Sequence, residues 1–179
     1  MKILSDEFIE RAKKIQCVIF DVDGVLTDGR LFFDLQGNEY KSFHAQDGQG
    51  LKLLQQQAIS VAIISGRSSP IVSRRMQSLG VEHVYQGQEN KISAFNDLVA
   101  KLQIDPSCIA HVGDDLPDLA LMNRSGLAIA VNDANPSILP FCHAQTSRDG
   151  GHGAAREVCD AILTAQGKLA LAISPFTNA

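Results

Sequence analysis

The sequence predicts an α/β protein built on a doubly wound parallel sheet, and three observations carry that prediction. Five short β-prone runs recur along the chain. Each is apolar throughout rather than alternating, as expected of strands covered on both faces. Most are separated by stretches whose apolar residues repeat at helical spacing, the pattern of right-handed crossovers in a Rossmann-like sheet.

The strands are expected at 17–20 (CVIF), 60–64 (SVAII), 82–85 (EHVY), 108–112 (CIAHV) and 127–131 (LAIAV). Between the second and third, Ile71, Val72, Met76 and Leu79 share a helical face that Gly80 closes; after the third, Ile92, Phe95, Leu98, Val99 and Leu102 do the same, with Pro106 beyond. Residues 30–44 break the rhythm with two β-prone arms around 34–38, where Gly37 supplies the turn. This is a β-hairpin projecting from the loop after the first strand. A helix is expected over about 49–57 and a last one over 154–165, behind the glycine-rich 150–153.

The 179 residues suit one domain, with its core over about 15–165 and a tail from 167. A formal net charge of −4 and the absence of any basic run exclude a nucleic-acid-binding reading, so an anionic ligand needs local capture groups. Cys17, Cys108, Cys142 and Cys159 show no paired spacing, which excludes a zinc knuckle or redox motif; Cys17 and Cys108 open apolar runs and read as buried thiols. Residues 1–14 lack a signal-peptide core and no apolar run reaches membrane-spanning length, so the expected setting is cytoplasmic.

In open parallel sheets ligands bind beyond the carboxyl ends of the strands. The first strand ends in Asp21-Val22-Asp23-Gly24, the second in Ser65-Gly66-Arg67, and the fourth in Gly113-Asp114-Asp115 with Asp118 close behind. Lys91 falls at the start of the helix after the third strand. Converging carboxylates repel by about 4 kcal/mol at ~4 Å and an effective dielectric of about 20. A hard divalent cation, Mg²⁺ above all, removes that repulsion and prefers oxygen ligands; Mn²⁺ and Co²⁺ also fit. Lys91 offers a fixed positive charge to a phosphate, and the Ser65 hydroxyl a directional donor. Asp21 and Asp23 let one carboxylate attack while the other serves the leaving group, which splits a slow hydrolysis into formation and breakdown of a phosphoenzyme.

These residues resemble the haloacid dehalogenase-like hydrolases: FDVDGVLTDG matches their first motif, Ser65 the second, Lys91 the third and GDDLPD the fourth. The resemblance implies Asp21 as nucleophile and Asp23 as general acid and base. It implies Mg²⁺ held by the Asp21 and Asp114 carboxylates and the Asp23 backbone carbonyl, with Asp115 and Asp118 orienting ligands and waters. Ser65 and Lys91 are 26 positions apart, and Lys91 and Asp114 are 23. Each interval holds only a helix and a strand, so no cap domain fits. The whole chain is similar to the capless 3-deoxy-D-manno-octulosonate 8-phosphate phosphatase family through DVDGVLTDG, KSFHAQDGQG, SGRSSPIVSRR, GDDLPDL and GGHGAAREV. That likeness implies an eight-carbon sugar acid phosphate as substrate, a role in lipopolysaccharide core sugar synthesis, and a homotetramer in which a neighbour closes each site. Where that family carries valine and arginine, this chain has Ala45-Gln46.

Gly66, Arg67 and His44 are the further candidates for substrate contact, with an internal salt bridge the alternative for Arg67 and a plain turn position for His44. Phe32 and Phe33 are candidates for a subunit interface. Two other readings remain: a phosphatase of a nine-carbon sialic-acid-type 9-phosphate, and a receiver-like phospho-accepting signalling domain. Receivers, however, carry their acidic pair and their phosphorylated aspartate on different strands.

Overall fold

The computed structural model describes residues 1–3 and 7–177. In chain order the elements are β1 (Lys2–Ile3), α1 (Phe8–Ala12), β2 (Cys17–Phe20), β3 (Phe32–Phe33), β4 (Glu39–Tyr40), α2 (Ala45–Gln56), β5 (Ser60–Ile64), α3 (Pro70–Leu79), β6 (His83–Tyr85), α4 (Lys91–Leu102), β7 (Ile109–Gly113), α5 (Leu119–Met122), β8 (Leu127–Ala130), β9 (Ala144–Gln145), α6 (Ala154–Ala165) and α7 (Leu169–Thr177). Seven strands form one sheet in the order β1-β9-β8-β7-β2-β5-β6, parallel except where β1 pairs antiparallel with β9. The chain leaves β2 for β5 on one side and later returns to β7 on the other. The crevice that this reversal opens lies at the carboxyl end of β2.

Alternation along each strand feeds two cores. Val18, Phe20, Val61, Ile63 and Val112 pack under α1, α2, α3 and α6. Cys17, Ile19, Ala62, Ile64 and Ile109 pack under Ala94, Phe95 and Leu98 of α4 and Leu121 of α5. Local signals set the helix ends. Pro70 fills the first turn of α3, and Gly80 closes it at φ +71°. The Asn90 side chain caps α4 by accepting from the Ile92 N–H.

Four expectations shift. The helix expected from residue 49 begins at Ala45, because Gly48 and Gly50, poor helix formers in isolation, sit where α2 packs closely on its neighbours. A Cβ on Gly50 would lie 3.1 Å from Cys159 Sγ and 3.2 Å from the Arg156 Cα. The fourth strand starts at Ile109, since 106–108 form a short 3₁₀ turn, and Cys108 is only half-buried there rather than a core thiol. The hairpin is present but pairs only Phe32 with Tyr40 and Phe33 with Glu39. The C-terminal residues through Thr177 form α7, with Ala172 docked into the core. No separate cap domain and no helix long and apolar enough to cross a membrane occur among the described residues.

Candidate active site

Strand register alone brings the acidic loops level. Phe20 pairs with Ile63 on one side and Val112 on the other, so Asp21, Ser65 and Asp114 emerge together at one sheet edge. Backbone hydrogen bonds extend the pattern: the Asp21 N–H donates to the Val112 carbonyl (3.1 Å) and the Ser65 N–H to the Tyr85 carbonyl (2.9 Å). The chain then turns through Gly24 at φ +94°. A Cβ there would lie 2.2 Å from Asp114 Oδ2, so only glycine lets this loop approach the fourth strand. Buried Thr27 tightens the loop by accepting from the Gly24 and Gly29 N–H groups.

A cleft of about 400 Å³ opens above this edge, lined by Asp21, Asp23, Ser65, Gly66, Arg67, Lys91, Asp114, Asp115 and Asp118, with Gln88, Glu89 and Pro117 completing its wall. Lys91 is the electrostatic hub. Its buried ammonium donates to Asp21 Oδ1 at 2.7 Å and Asp118 Oδ1 at 2.8 Å. Asp118 is fully occupied: Oδ1 also meets His111 Nε2 (3.0 Å), and Oδ2 accepts from the backbone N–H groups of Asp114 (3.0 Å) and Asp115 (3.4 Å). Asp115 is exposed and accepts from the Asn135 amide at 2.9 Å.

Oxygens from Asp21, Asp114 and Asp118 lie within 4.8 Å of one another. Burial and then the Asp118 charge push Asp21 up to about 7, against the pull of Lys91. Burial, followed by Asp118, Asp21 and Asp115, pushes Asp114 up to about 8. For Asp118 burial acts upward, but hydrogen bonds and charge from His111 and Lys91 prevail and hold it well below the carboxylate range. Burial lowers His111 against the opposing pull of Asp118; its Nε2 meets that carboxylate and its Nδ1 is buried with no hydrogen-bond partner. Two carboxylates that resist ionisation side by side, in an all-oxygen setting, fit a divalent cation.

A prediction follows from that crowding. Asp21 and Asp114 hold protons more tightly folded than unfolded, where their ordinary value is 3.8. Between about pH 4 and pH 8 the folded chain binds the extra protons, so metal-free stability falls as pH rises through that window. Thermal melts in EDTA are expected to lose Tm from about pH 5.5 to about pH 8, and the gain from a saturating divalent cation to be larger at the higher pH. A gain independent of pH would contradict this electrostatic account.

Not every candidate meets in the cleft. His44 sits at the N-terminal end of α2 and lines a separate small cavity with Leu26, Phe43 and Met76, its Nδ1 buried and without a partner. It is held there because the chain enters α2 at Ala45, earlier than the sequence suggested. Arg67 lines the cleft but also makes the internal salt bridge, to Glu39 at 2.8 Å. Gln46 accepts from Arg148 at 3.0 Å. Sequence reasoning missed Glu39, Lys41 and His111. His111 reads as strand filler in CIAHV, but alternation of Glu39 and Lys41 on one arm was a usable signal.

Residues 81–158 match the haloacid dehalogenase-like hydrolase family. The chain is 46% identical over 166 residues, 93% of its own length and 89% of the other's, to the 3-deoxy-D-manno-octulosonate 8-phosphate phosphatase KdsC of Yersinia pestis. This chain belongs to that phosphatase family. Solved structures of family members agree. That of the Moraxella catarrhalis enzyme, in complex with a magnesium ion, a phosphate ion and KDO, superposes with a TM-score of 0.92 at 42% identity, covering 96% of this chain and 98% of the other. The cobalt-bound Haemophilus influenzae enzyme gives a TM-score of 0.87 at 42% identity, covering 90% and 94%. As a member of this family the chain is a phosphoric monoester hydrolase. The capless α/β fold expected from sequence is the fold of its relatives.

Proposed function

We propose that this phosphatase hydrolyses 3-deoxy-D-manno-octulosonate 8-phosphate to the free sugar acid and phosphate through an aspartyl-phosphate on Asp21, as one catalytic domain with Mg²⁺ as cofactor. The observation that carries the mechanism is the Lys91–Asp21–Asp118 arrangement: a buried nucleophilic carboxylate held by a fixed ammonium at the base of an open cleft. The substrate rests on the identity to the family and on the KDO-bound Moraxella structure.

Asp21 and Asp114, with the Asp23 carbonyl, would hold Mg²⁺, which supplies charge neutralisation for the phosphoryl oxygens when bound. Asp118, whose oxygens are already engaged by four donors, acts by aligning Lys91 and the Asp114 loop rather than as a ligand. Lys91 keeps one Asp21 oxygen fixed, leaving the other to attack phosphorus in line. Asp23 gives its proton to the departing sugar oxygen, then takes one from the water that releases phosphate from Asp21. Ser65, buried at 3% exposure on the cleft wall, donates to a phosphoryl oxygen. Gly66 brings the backbone close beside it, and Arg67, paired with Glu39 at the cleft wall, turns its remaining N–H donors to the sugar carboxylate. Asp115 sits at the rim.

Leu31, Phe32, Phe33, Leu35 and Tyr40 leave much of the hairpin's apolar surface in solvent. That surface supports a homotetramer in which a neighbour covers the cleft. The reaction belongs to lipopolysaccharide core sugar synthesis in the cytoplasm. A second reading keeps the mechanism and changes the sugar acid to a nine-carbon 9-phosphate; Gln46, which accepts from Arg148 at the position where the family resemblance implies arginine, favours keeping it open.

The test is phosphate release from a panel of sugar phosphates with Mg²⁺ and with EDTA. We expect the eight-carbon acid to exceed the nine-carbon acid and neutral sugar phosphates by at least about tenfold in kcat/KM, and EDTA to abolish turnover. Faster turnover of the nine-carbon substrate would move the assignment to it.

A further inference from the structure

The hairpin brings charge to the cleft as well as apolar bulk. Glu39 and Lys41 stand two residues apart on an extended arm, so their side chains leave the same face, while Tyr40 between them is 57% exposed. The Lys41 side chain is 1% exposed, and its ammonium pairs with Asp23 Oδ1 and lies 3.3 Å from Glu39. Glu39 receives Arg67 at 2.8 Å, and Arg67 Nε lies 3.7 Å from Asp23 Oδ2. Asp23, Lys41, Glu39 and Arg67 thus close a ring of alternating charge.

Taking an ammonium out of water costs several kcal/mol unless partners replace the lost hydration. Lys41 is therefore confined by the two carboxylates it meets, and it confines them in return. The Lys41 contact on Oδ1 orients the Asp23 carboxyl, and Oδ2, met by the longer 3.7 Å approach of Arg67, faces the proton exchange. We propose that Lys41 is a positioning residue of the reaction: from the hairpin it fixes the orientation in which Asp23 delivers a proton to the departing alkoxide. The proposal rests on the reading of Asp23 as general acid. In that step the bond from Asp21 oxygen to phosphorus forms, the bond from phosphorus to the sugar oxygen breaks, and the Asp23 proton goes to that oxygen. In the second step water adds to phosphorus, its proton goes to Asp23, and the Asp21 carboxylate leaves.

Leaving-group dependence separates this role from a structural one. An alkoxide needs the proton as it departs, whereas p-nitrophenolate leaves without it. Lys41→Met is expected to lose about 100-fold in kcat on a sugar phosphate but less than about 5-fold on p-nitrophenyl phosphate, and Lys41→Arg to recover at least about tenfold of the sugar phosphate loss. Asp23→Asn, run alongside, should show the same discrimination more strongly. Should Lys41→Met fail to fold, Lys41→Gln carries the same comparison. Equal losses on both substrates, or no loss on either, would overturn the role of Lys41. If Asp23→Asn itself does not discriminate, the general-acid reading falls and the proposal with it. Discrimination by Asp23→Asn without discrimination at Lys41 removes the proposal alone.

Discussion

Asp21→Asn is expected to lower kcat by at least about four orders of magnitude while leaving the fold intact. The carboxamide keeps the shape of the side chain but removes the anionic oxygen proposed to attack phosphorus. Stability should move little, for a reason visible in the contacts. Lys91 retains Asp118 at 2.8 Å, and the change removes one of the charges crowding Asp114. In EDTA the variant's Tm should therefore equal or exceed that of the wild type. A variant that loses activity together with Tm would point to a collapsed site rather than a missing nucleophile.

Lys91→Met is expected to damage both properties. The side chains of Lys91, Asp21 and Asp118 are only 4%, 10% and 2% exposed, so losing the ammonium strands two carboxylates in a dry site. Breaking a buried pair of this kind costs about 3–5 kcal/mol, roughly a 10 °C fall in Tm for a domain of this size. Bound divalent cation should return part of the Tm by neutralising Asp21. It should not return activity, because the positive charge fixed beside the phosphoryl group is gone; a loss of about 10²–10³ in kcat should persist at saturating metal. Comparison of melts and kinetics with and without metal checks both halves. Full recovery of kcat by metal would show that Lys91 serves only to balance charge.

What could be read from the sequence follows from what was local. Strands buried on both faces announce themselves as unbroken apolar runs, and 17–20 and 60–64 matched the structure residue for residue. Motif residues at strand ends converge because parallel strands share an edge, so Asp21, Ser65, Lys91 and Asp114 came together as expected. Elements whose stability lies in distant contacts were hidden. The start of α2 depends on Gly48 pressed against α3 and Gly50 against α6, β1 on its pairing with β9, and α7 on docking of Ala172. Side-chain partnerships across long separations were equally silent. Nothing near His111 in the chain says that it supports Asp118, and the alternation of Glu39 and Lys41 marks a shared face without saying that the Lys41 ammonium would be buried on Asp23.

The family to which the chain belongs sets the reaction class, while the proposed chemistry rests on one carboxylate, Asp21. Acid quenching during turnover of 3-deoxy-D-manno-octulosonate 8-phosphate with Mg²⁺, followed by peptide mass mapping, addresses that carboxylate directly. The account predicts a phosphoryl adduct on the peptide that contains Asp21, absent in EDTA and absent in Asp21→Asn. An adduct on another residue, or metal-dependent turnover that persists in Asp21→Asn at the wild-type rate, would contradict it.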